Sequence, residues 1–187
     1  MSKFLVIAEK PSVAQSYAKN LSAYKREDGY LEGESCIVSW CLGHLAEYAQ
    51  PEEYDPKYEK WQFDDLPILP EAWKLKVSKD KKKQFDVIKT LMNRSDVEYL
   101  VNGCDAGREG ELIFQRVYVL AGCRKPVKRL WISSMEDAAI QKGFQTMKSE
   151  EEYKNLCMAA VCRAQADWLI GMNGTRAYTT RYFKRLV

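Results

Sequence analysis

The spacing of apolar and polar residues predicts a strand and then a helix at the start of the chain. Lys3 to Ala8 is a short apolar run rich in β-favouring residues. Pro11-Ser12 then opens an amphipathic stretch in which Val13, Tyr17 and Leu21 recur at helical spacing. The chain therefore begins with a β-strand that leads directly into an α-helix.

The same alternation continues through the middle of the sequence. Ser35 to Leu42 and Tyr99 to Cys104 are further strand-like runs, and Val127 to Ile132 is the last of them. A helix is predicted from Glu109 to Ala121, with Gly122 as its C-terminal stop. Strands that alternate with helices predict an α/β fold, in which a mostly parallel sheet is covered by helices on both faces.

Other segments have less regular patterns. Gln50 to Pro70 contains four prolines and little periodicity, which predicts an extended insertion with local turns. Ser134 to Asp137 has the form of a capping box before a helix that ends near Met147. Glu151 to Met172 is a long helical pattern, and Gly171 to Gly174 is expected to break it, so that a second element begins there.

Composition indicates a folded cytoplasmic protein. Of the 187 residues, 46% are hydrophobic and 29% charged, and no apolar run reaches membrane-spanning length. The apolar run Phe4 to Ala8 is too short for the core of a secretory leader, so a cytoplasmic protein is expected. The six cysteines form no Cys-x-x-Cys pair, and His44 is the single histidine, which argues against a zinc site. The thiols are therefore interpreted as small buried apolar groups rather than disulfides.

The net charge of +3 says little, but its distribution is uneven. The segment from Met172 to Val187 has no acidic residue and interleaves basic with aromatic side chains: Arg176, Tyr178, Arg181, Tyr182, Phe183, Lys184 and Arg185. Such a mixture suits contact with phosphates and bases together. A solvated helix end explains it equally well.

Acidic residues follow two of the predicted strands. Glu9 comes directly after the first strand and Asp105 directly after Tyr99 to Cys104. Since ligands gather at the carboxyl ends of parallel strands, these two carboxylates are expected to converge on a hard cation such as Mg²⁺. The alternative for either residue alone is a helix cap.

The turn after Cys104 is unusually rich in charged residues and glycines. Asp105-Ala106-Gly107-Arg108-Glu109-Gly110-Glu111 contains three acids, an arginine and two glycines. Glycines allow the backbone to approach a phosphate, arginine can pair with it, and the acids can bind a metal. A Walker-type phosphate loop is excluded, because no glycine is followed by Lys-Ser or Lys-Thr.

Two blocks together resemble the two halves of a TOPRIM domain, a Rossmann-like fold, and in particular that of type IA DNA topoisomerases of the bacterial topoisomerase III branch. They are Leu5 to Ser12 and Asp105 to Glu111. Four further blocks match in the same order: Leu42-Gly43-His44-Leu45, Lys60-Trp61 with Asp65 to Pro70, Arg129 to Ser134, and Arg163 to Asn173. The likeness spans essentially the whole chain.

The resemblance implies a role for Lys10 and for the acidic residues at the strand ends, Glu9, Asp105 and Glu109, which are here called the acidic edge. Glu9 would exchange a proton with the DNA 3′-oxygen, and Lys10 would offset charge on the scissile phosphate. Asp105 and Glu109, together with Glu9, would hold Mg²⁺. The family's second motif usually begins Asp-x-Asp, whereas Gly107 stands at the second acidic position here, so a ligand for a second metal is missing.

The resemblance also implies a groove that binds single-stranded DNA. Trp61, Arg163, Trp168 and Arg176 match positions that line it, where rings stack on bases and guanidinium groups hold phosphates. The alternatives are core packing for each tryptophan and a surface ion pair between Arg163 and Asp167, four residues apart. His44 is interpreted as a structural hydrogen-bonder.

On this basis residues 1–149 are expected to form the TOPRIM domain and residues 150–187 the start of a helical DNA-binding domain. Type IA enzymes cut one DNA strand through a phosphotyrosine, and no tyrosine here matches that nucleophile's context, so the fragment alone is expected to be inactive. A stand-alone TOPRIM nuclease or primase-like protein is one alternative. A non-catalytic single-stranded DNA-binding module is another.

Overall fold

The computed structural model describes residues 2–182, which form a seven-stranded sheet, a separate two-stranded ribbon and five α-helices. The strands are β1 (Lys3–Ala8), β2 (Lys25–Glu27), β3 (Tyr30–Glu32), β4 (Cys36–Trp40), β5 (Ala46–Tyr48), β6 (Leu75–Val77), β7 (Val97–Gly103), β8 (Val127–Arg129) and β9 (Lys148–Ser149). The α-helices are α1 (Pro11–Asn20), α2 (Lys82–Met92), α3 (Arg108–Ala121), α4 (Asp137–Gln145) and α5 (Lys154–Tyr182).

The large sheet has the strand order β2-β3-β4-β1-β7-β8-β9. Its central strands β4, β1, β7 and β8 run parallel, while β2, β3 and β9 pair antiparallel at the margins. The predicted α/β class is confirmed. Because β4, β1 and β7 are parallel neighbours, their carboxyl ends lie along one edge of the sheet.

The central strand β1 is buried from both sides. Leu5 and Ile7 belong to the core that includes α2 and α3, whereas Val6 and Ala8 belong to the core that includes α1 and α4. This explains why β1 is continuously apolar instead of alternating. A strand fixed on both faces gives the residue that follows it, Glu9, a defined position.

Two local predictions before α4 need correction. β8 ends at Arg129 rather than Ile132, since Leu130 makes the last bond to β7, from its N–H to the Asn102 carbonyl. The capping box is wrong: Glu136 is the N-cap of α4 and makes no side-chain cap bond. The Ser134 hydroxyl instead accepts a bond from the Glu136 N–H, ahead of the first helical turn.

The predicted break at Gly171–Gly174 is also wrong, because α5 continues as one helix from Lys154 to Tyr182. Asn173, between the two glycines, donates from its amide to the Ile68 carbonyl at 3.0 Å and accepts from the Ile68 N–H at 2.6 Å. Each helical glycine costs about 1 kcal/mol relative to alanine. These tertiary bonds offset that cost.

The chain between β5 and β6, here called segment 49–74, docks on α5. The sequence predicted an extended insertion with local turns over Gln50 to Pro70, and the structure has three short 3₁₀ helices there: Pro51–Glu53, Pro56–Glu59 and Phe63–Asp65. Tyr48, Ile68 and Trp168 form the buried centre of a third apolar cluster at this contact. The sequence analysis did not predict the β5–β6 ribbon, whose strands have only three residues each.

The cysteines follow the predicted pattern only in part. All six are free, and Cys36, Cys41, Cys104 and Cys123 are buried, but Cys157 is half-buried and Cys162 exposed. The pKa of the Cys104 thiol is raised, mainly by a hydrogen bond with Cys41 and secondly by burial. Among residues 2–182, no helix combines the length and the apolar character that a membrane crossing requires.

Candidate metal and nucleic-acid site

The candidate site lies at the carboxyl ends of β4, β1 and β7. Just beyond β4, the Cys41 N–H donates to the Ala8 carbonyl at 2.7 Å and the Gly43 N–H to the Glu9 carbonyl at 3.3 Å. Gly43 has φ of 67°, the left-handed region that favours glycine, and it turns the chain over Glu9. The backbone of Glu9 is thus held from the neighbouring strand.

Glu9 and Asp105 converge on a single cation, the ammonium group of Lys10. The Lys10 Nζ lies 3.5 Å from Glu9 Oε1 and 4.0 Å from Asp105 Oδ2. The other carboxylate oxygen of Glu9, Oε2, is buried and has no hydrogen-bond partner within the described residues. A buried anionic oxygen without a partner is costly, which marks it as a position for a ligand.

Glu109 does not join that pair. Its Oε2 lies 3.2 Å from His44 Nε2, and both side chains are largely exposed. The His44 carbonyl accepts a hydrogen bond from the Lys81 ammonium at 2.9 Å, which ties the turn after β4 to the start of α2. The His44 side chain therefore contacts one of the predicted site residues, whereas its hydrogen bond to Lys81 is made by the backbone carbonyl.

The donor set suits a hard cation such as Mg²⁺, held by two carboxylates. Within residues 2–182, no group of three or more His, Cys, Asp or Glu side chains is close enough to hold a metal ion. Mg²⁺ usually takes only one or two carboxylates and completes its shell with water and phosphate. Glu9, with its unpartnered oxygen, and Asp105 fit that requirement, whereas the three-carboxylate set with Glu109 is not assembled.

Arg129 is a residue of this edge that the sequence analysis did not single out as a site residue. Its side chain is fully buried and forms an ion pair with Glu111, which is 1% exposed. It also donates to the carbonyls of Asn102, Cys104 and Asp105. The sequence did contain a signal: in β8, Lys128 points out while Val127 and Arg129 point in, and a buried arginine requires an acidic partner.

Close packing explains why the residue before Glu111 is a glycine, Gly110. A Cβ at Gly110 would lie 2.0 Å from the Asp105 carbonyl oxygen, so only glycine lets the first turn of α3 approach this strand end. Gly107 is different, because a Cβ there would meet nothing within 4 Å. The position at which the family usually has its second aspartate therefore has room for a side chain.

The two predicted DNA-contacting tryptophans lie in different environments. Trp168 is 8% exposed, packs edge-on against Tyr54 and Trp73, and donates from Nε1 to the Ala49 carbonyl at 3.1 Å. The structure thus favours the core-packing alternative for Trp168. Trp61 is 46% exposed, as a base-stacking ring requires.

Arg176 lies behind Trp61 rather than at the surface. It is 4% exposed, with its guanidinium carbon 4.9 Å from the centroid of the Trp61 ring. Its Nη1 donates to the Tyr58 carbonyl at 2.6 Å, and Nη2 lies 3.6 Å from a Glu52 carboxylate oxygen. In this arrangement Arg176 supports one face of Trp61, Nη1 and Nη2 contact protein groups, and the buried Nε has no hydrogen-bond partner among the described residues.

Arg163 sits on the exposed side of α5. Its Nε lies 3.6 Å from Asp167 Oδ2, which is the i,i+4 surface pair that the sequence spacing offered as an alternative. Of the basic and aromatic end of the chain, Phe183, Lys184 and Arg185 fall outside the described residues. Arg181 and Tyr182 close α5 as exposed residues.

Comparisons with known proteins identify relatives of the whole chain. DNA topoisomerase 3 of Bacillus subtilis is 50% identical over 186 residues, and a DNA topoisomerase 3 of Bacillus cereus is 51% identical over the same length. Both alignments cover 100% of this chain but only 26% of the relative. The chain thus spans about a quarter of the length of the curated relatives it matches.

A solved structure supports the fold independently. Full-length topoisomerase I from Thermotoga maritima matches 80% of this chain and 22% of its own, with a TM-score of 0.52 and 18% sequence identity. The family model for the Toprim domain matches residues 4–135, which include β1, the Glu9 turn and the Asp105 turn. The chain belongs to the Toprim domain family.

Proposed function

We propose that the chain is the metal- and DNA-binding TOPRIM part of a type IA DNA topoisomerase of the topoisomerase III branch. Such an enzyme breaks one DNA strand, passes another through the gap and rejoins the first. The observation that carries the proposal is the buried, unpartnered Glu9 Oε2 beside Asp105, at the joined ends of β1 and β7. Identity of 50% to DNA topoisomerase 3 over the whole chain supports it.

The acidic edge would supply the metal and acid–base half of the reaction. Glu9 and Asp105 would hold the cation, for which Mg²⁺ is proposed, and Glu109 stays a predicted third ligand. A bound Mg²⁺ neutralises charge on the scissile phosphate and orients it. Glu9 would exchange the proton of the DNA 3′-oxygen, and Lys10, within 4.0 Å of both carboxylates, would meet the phosphate.

Single-stranded DNA would be contacted through Trp61. Its exposed ring can stack on an unpaired base, and the Arg176 guanidinium on its other face fixes the ring orientation. We propose that Trp168 and Arg176 act on DNA indirectly, by building the support for Trp61. Arg163 stays a predicted phosphate contact on the exposed side of α5.

The proposed domain division places residues 1–149 in the TOPRIM domain and 150–187 at the start of a helical DNA-binding domain. The family match covers residues 4–135, which lie within the first of these two ranges. α5 packs on α3 and on segment 49–74, so the two proposed domains would share an interface within the described residues. The tyrosine nucleophile would lie outside this chain.

Binding of a fluorescent single-stranded oligonucleotide, compared with its duplex, tests the proposal. We expect tighter binding to the single strand, with affinity falling steeply as salt rises. Trp61→Ala should weaken single-strand binding by about 1 kcal/mol or more, the usual loss for a stacked base. Tyr24→Ala removes an aromatic ring that is 73% exposed elsewhere on the surface, and serves as the control. Equal affinity for single strand and duplex would contradict the proposal.

A denaturing gel with end-labelled single-stranded DNA separates the alternatives. We expect neither cleavage nor a protein-linked band from the 187-residue chain, with or without Mg²⁺. Free cleavage products without linkage would favour the nuclease alternative. Single-strand binding without any Mg²⁺ binding would favour the non-catalytic binding module.

A further inference from the structure

We propose that Arg129 is a positioning residue of the acidic edge. Its buried pair with Glu111 fixes the main chain that carries Asp105, and so aims the Asp105 carboxylate at the cation. The inference rests on the proposed function for the cation itself. The hydrogen bonds of Arg129 would fix the main chain of Asp105 whether or not a cation binds.

Beyond the end of β8, the Arg129 guanidinium group donates the hydrogen bonds that a neighbouring strand would otherwise supply. β8 ends at Arg129, so the carbonyls that follow β7 extend past the neighbouring strand. The Arg129 Nη1 donates to the Cys104 carbonyl at 2.6 Å, and Nη2 donates to the Asp105 carbonyl at 2.8 Å. The carbonyl groups on both sides of the Asp105 Cα are therefore held by one planar group.

The acidic partner ties the same group to α3. Glu111, in the first turn of α3, accepts from the Arg129 Nε and, at 3.4 Å, from the Asn102 side-chain amide. Gly110 allows this turn to touch the Asp105 carbonyl oxygen. Asp105 is thus confined between the start of α3 on one side and the Arg129 guanidinium on the other.

Stability alone does not explain a pair of this kind. Arg129 and Glu111 are 0% and 1% exposed, so both ions are fully desolvated. Replacing a buried ion pair by apolar residues of similar volume is often neutral or stabilising. A fixed five-donor fork, in contrast, can orient several carbonyls at once, which an apolar side chain cannot do.

The test separates the fold from the position of Asp105. Glu111→Met combined with Arg129→Met removes both charges and keeps side-chain volume, so that no unpaired buried charge remains. The Asn102, Cys104 and Asp105 carbonyls lose a donor, so the thermal midpoint is expected to fall moderately while the chain stays folded. Mg²⁺ binding, followed by NMR titration of backbone amides, is expected to weaken about tenfold or more, as for other partners that orient a metal ligand. Arg94→Met, which removes an arginine paired with Glu32 and Asp96, is the matched control and should bind Mg²⁺ normally.

A second readout does not depend on metal. The ¹⁵N order parameters of Asp105 and Gly107 are expected to fall from the rigid value of about 0.85 toward 0.6 in the double variant. Mg²⁺ binding and order parameters that both match the unaltered chain would overturn the proposal. If the double variant does not fold, Arg129→Lys, which keeps the charge but lacks the fork, decides the matter by the same two measurements.

The two hypotheses fail in different ways. An unaltered chain that binds no Mg²⁺ would contradict the proposed function, and the order parameters would still judge the role of Arg129. Normal Mg²⁺ binding by the unaltered chain and by Arg129→Lys would leave the proposed function intact and overturn the positioning role.

Discussion

The charged residues at the two edges of the central sheet differ in how completely they are paired. At the amino-terminal edge, Glu32 lies 2.6 Å from the Lys3 ammonium and 2.9 Å from the Arg94 guanidinium, which also lies 2.7 Å from Asp96. At the carboxyl edge, Glu9 has a buried oxygen without a partner in the described residues, and the Lys10 contacts measure 3.5 and 4.0 Å.

This difference separates a structural network from the proposed binding site. A closed set of ion pairs satisfies its own charges and leaves nothing for a ligand to complete. An edge with a desolvated, unpartnered carboxylate oxygen gains free energy when a cation arrives. Beneath the carboxyl edge lies the fully buried ion pair of Arg129 and Glu111, which is proposed to fix the main chain that carries Asp105.

The largest expected effect concerns that buried pair. Glu111→Leu leaves the Arg129 charge buried and unpaired, which should lower the free energy of unfolding by about 3–5 kcal/mol. Urea denaturation measures the loss. Glu98→Leu, which replaces an exposed acid on β7, is the control and should change it by less than about 0.5 kcal/mol. Equal effects from the two variants would remove the distinction between the pair and the surface.

The amino-terminal edge should show a smaller, pH-dependent effect. Burial alone would raise the pKa of Glu32, but hydrogen bonds from Arg94 and Lys3 outweigh it and hold this pKa below its ordinary value. A lowered pKa in the folded state contributes stability above the ordinary carboxyl range, near pH 4, and this contribution is lost as pH falls further.

Arg94→Met should therefore cost about 1 kcal/mol at neutral pH and flatten the loss of stability below about pH 4. Urea denaturation between pH 2 and 7 checks both expectations. A variant that loses stability on acidification as steeply as the unaltered chain would show that the network does not hold Glu32 ionised.

Removal of Lys10 should increase the affinity of the carboxyl edge of the sheet for Mg²⁺. Its ammonium is the only cation that the structure places near both Glu9 and Asp105 among the described residues, so Lys10→Met removes a competitor of Mg²⁺. We expect Mg²⁺ to bind roughly threefold more tightly, as for a partly exposed charge pair. Lys19→Met, on a lysine paired with Asp137, is the control. Weaker Mg²⁺ binding by Lys10→Met would contradict this competition.

Gly107→Asp should give the smallest change in stability. The position has open space and is the N-cap of α3, so aspartate should gain only a few tenths of a kcal/mol over glycine. An added carboxylate beside Asp105 should nevertheless tighten Mg²⁺ binding. Calorimetry with the unaltered chain as reference checks both. A strongly destabilised variant would show that the position is not open.

How well the sequence predicted the fold depended on the length of each pattern. β1, α1 and α3 were predicted because a continuous apolar run or helical spacing dominates their local preference. β2 and β3 were missed, since strands of only three residues are too short to carry such a signal. The predicted break in α5 failed because Asn173 makes its decisive bonds to Ile68, which is far away in sequence.

The site was predictable in its position more than in its contacts. Glu9 and Asp105 follow strands whose parallel pairing brings their ends together, which the alternation of elements implied. The pairing of Glu109 with His44 and the burial of Arg176 depend on side-chain packing between distant segments. No local pattern in the sequence specifies such contacts.

The most direct test of the open edge is a Mg²⁺ titration of the chain, followed by NMR of the backbone amides. The account predicts saturable shifts centred on the residues after β1 and β7, which Glu9→Gln and Asp105→Asn each abolish while the free energy of unfolding changes little. If either variant shows the same Mg²⁺-dependent shifts as the unaltered chain, the carboxyl edge of the sheet is not the metal site.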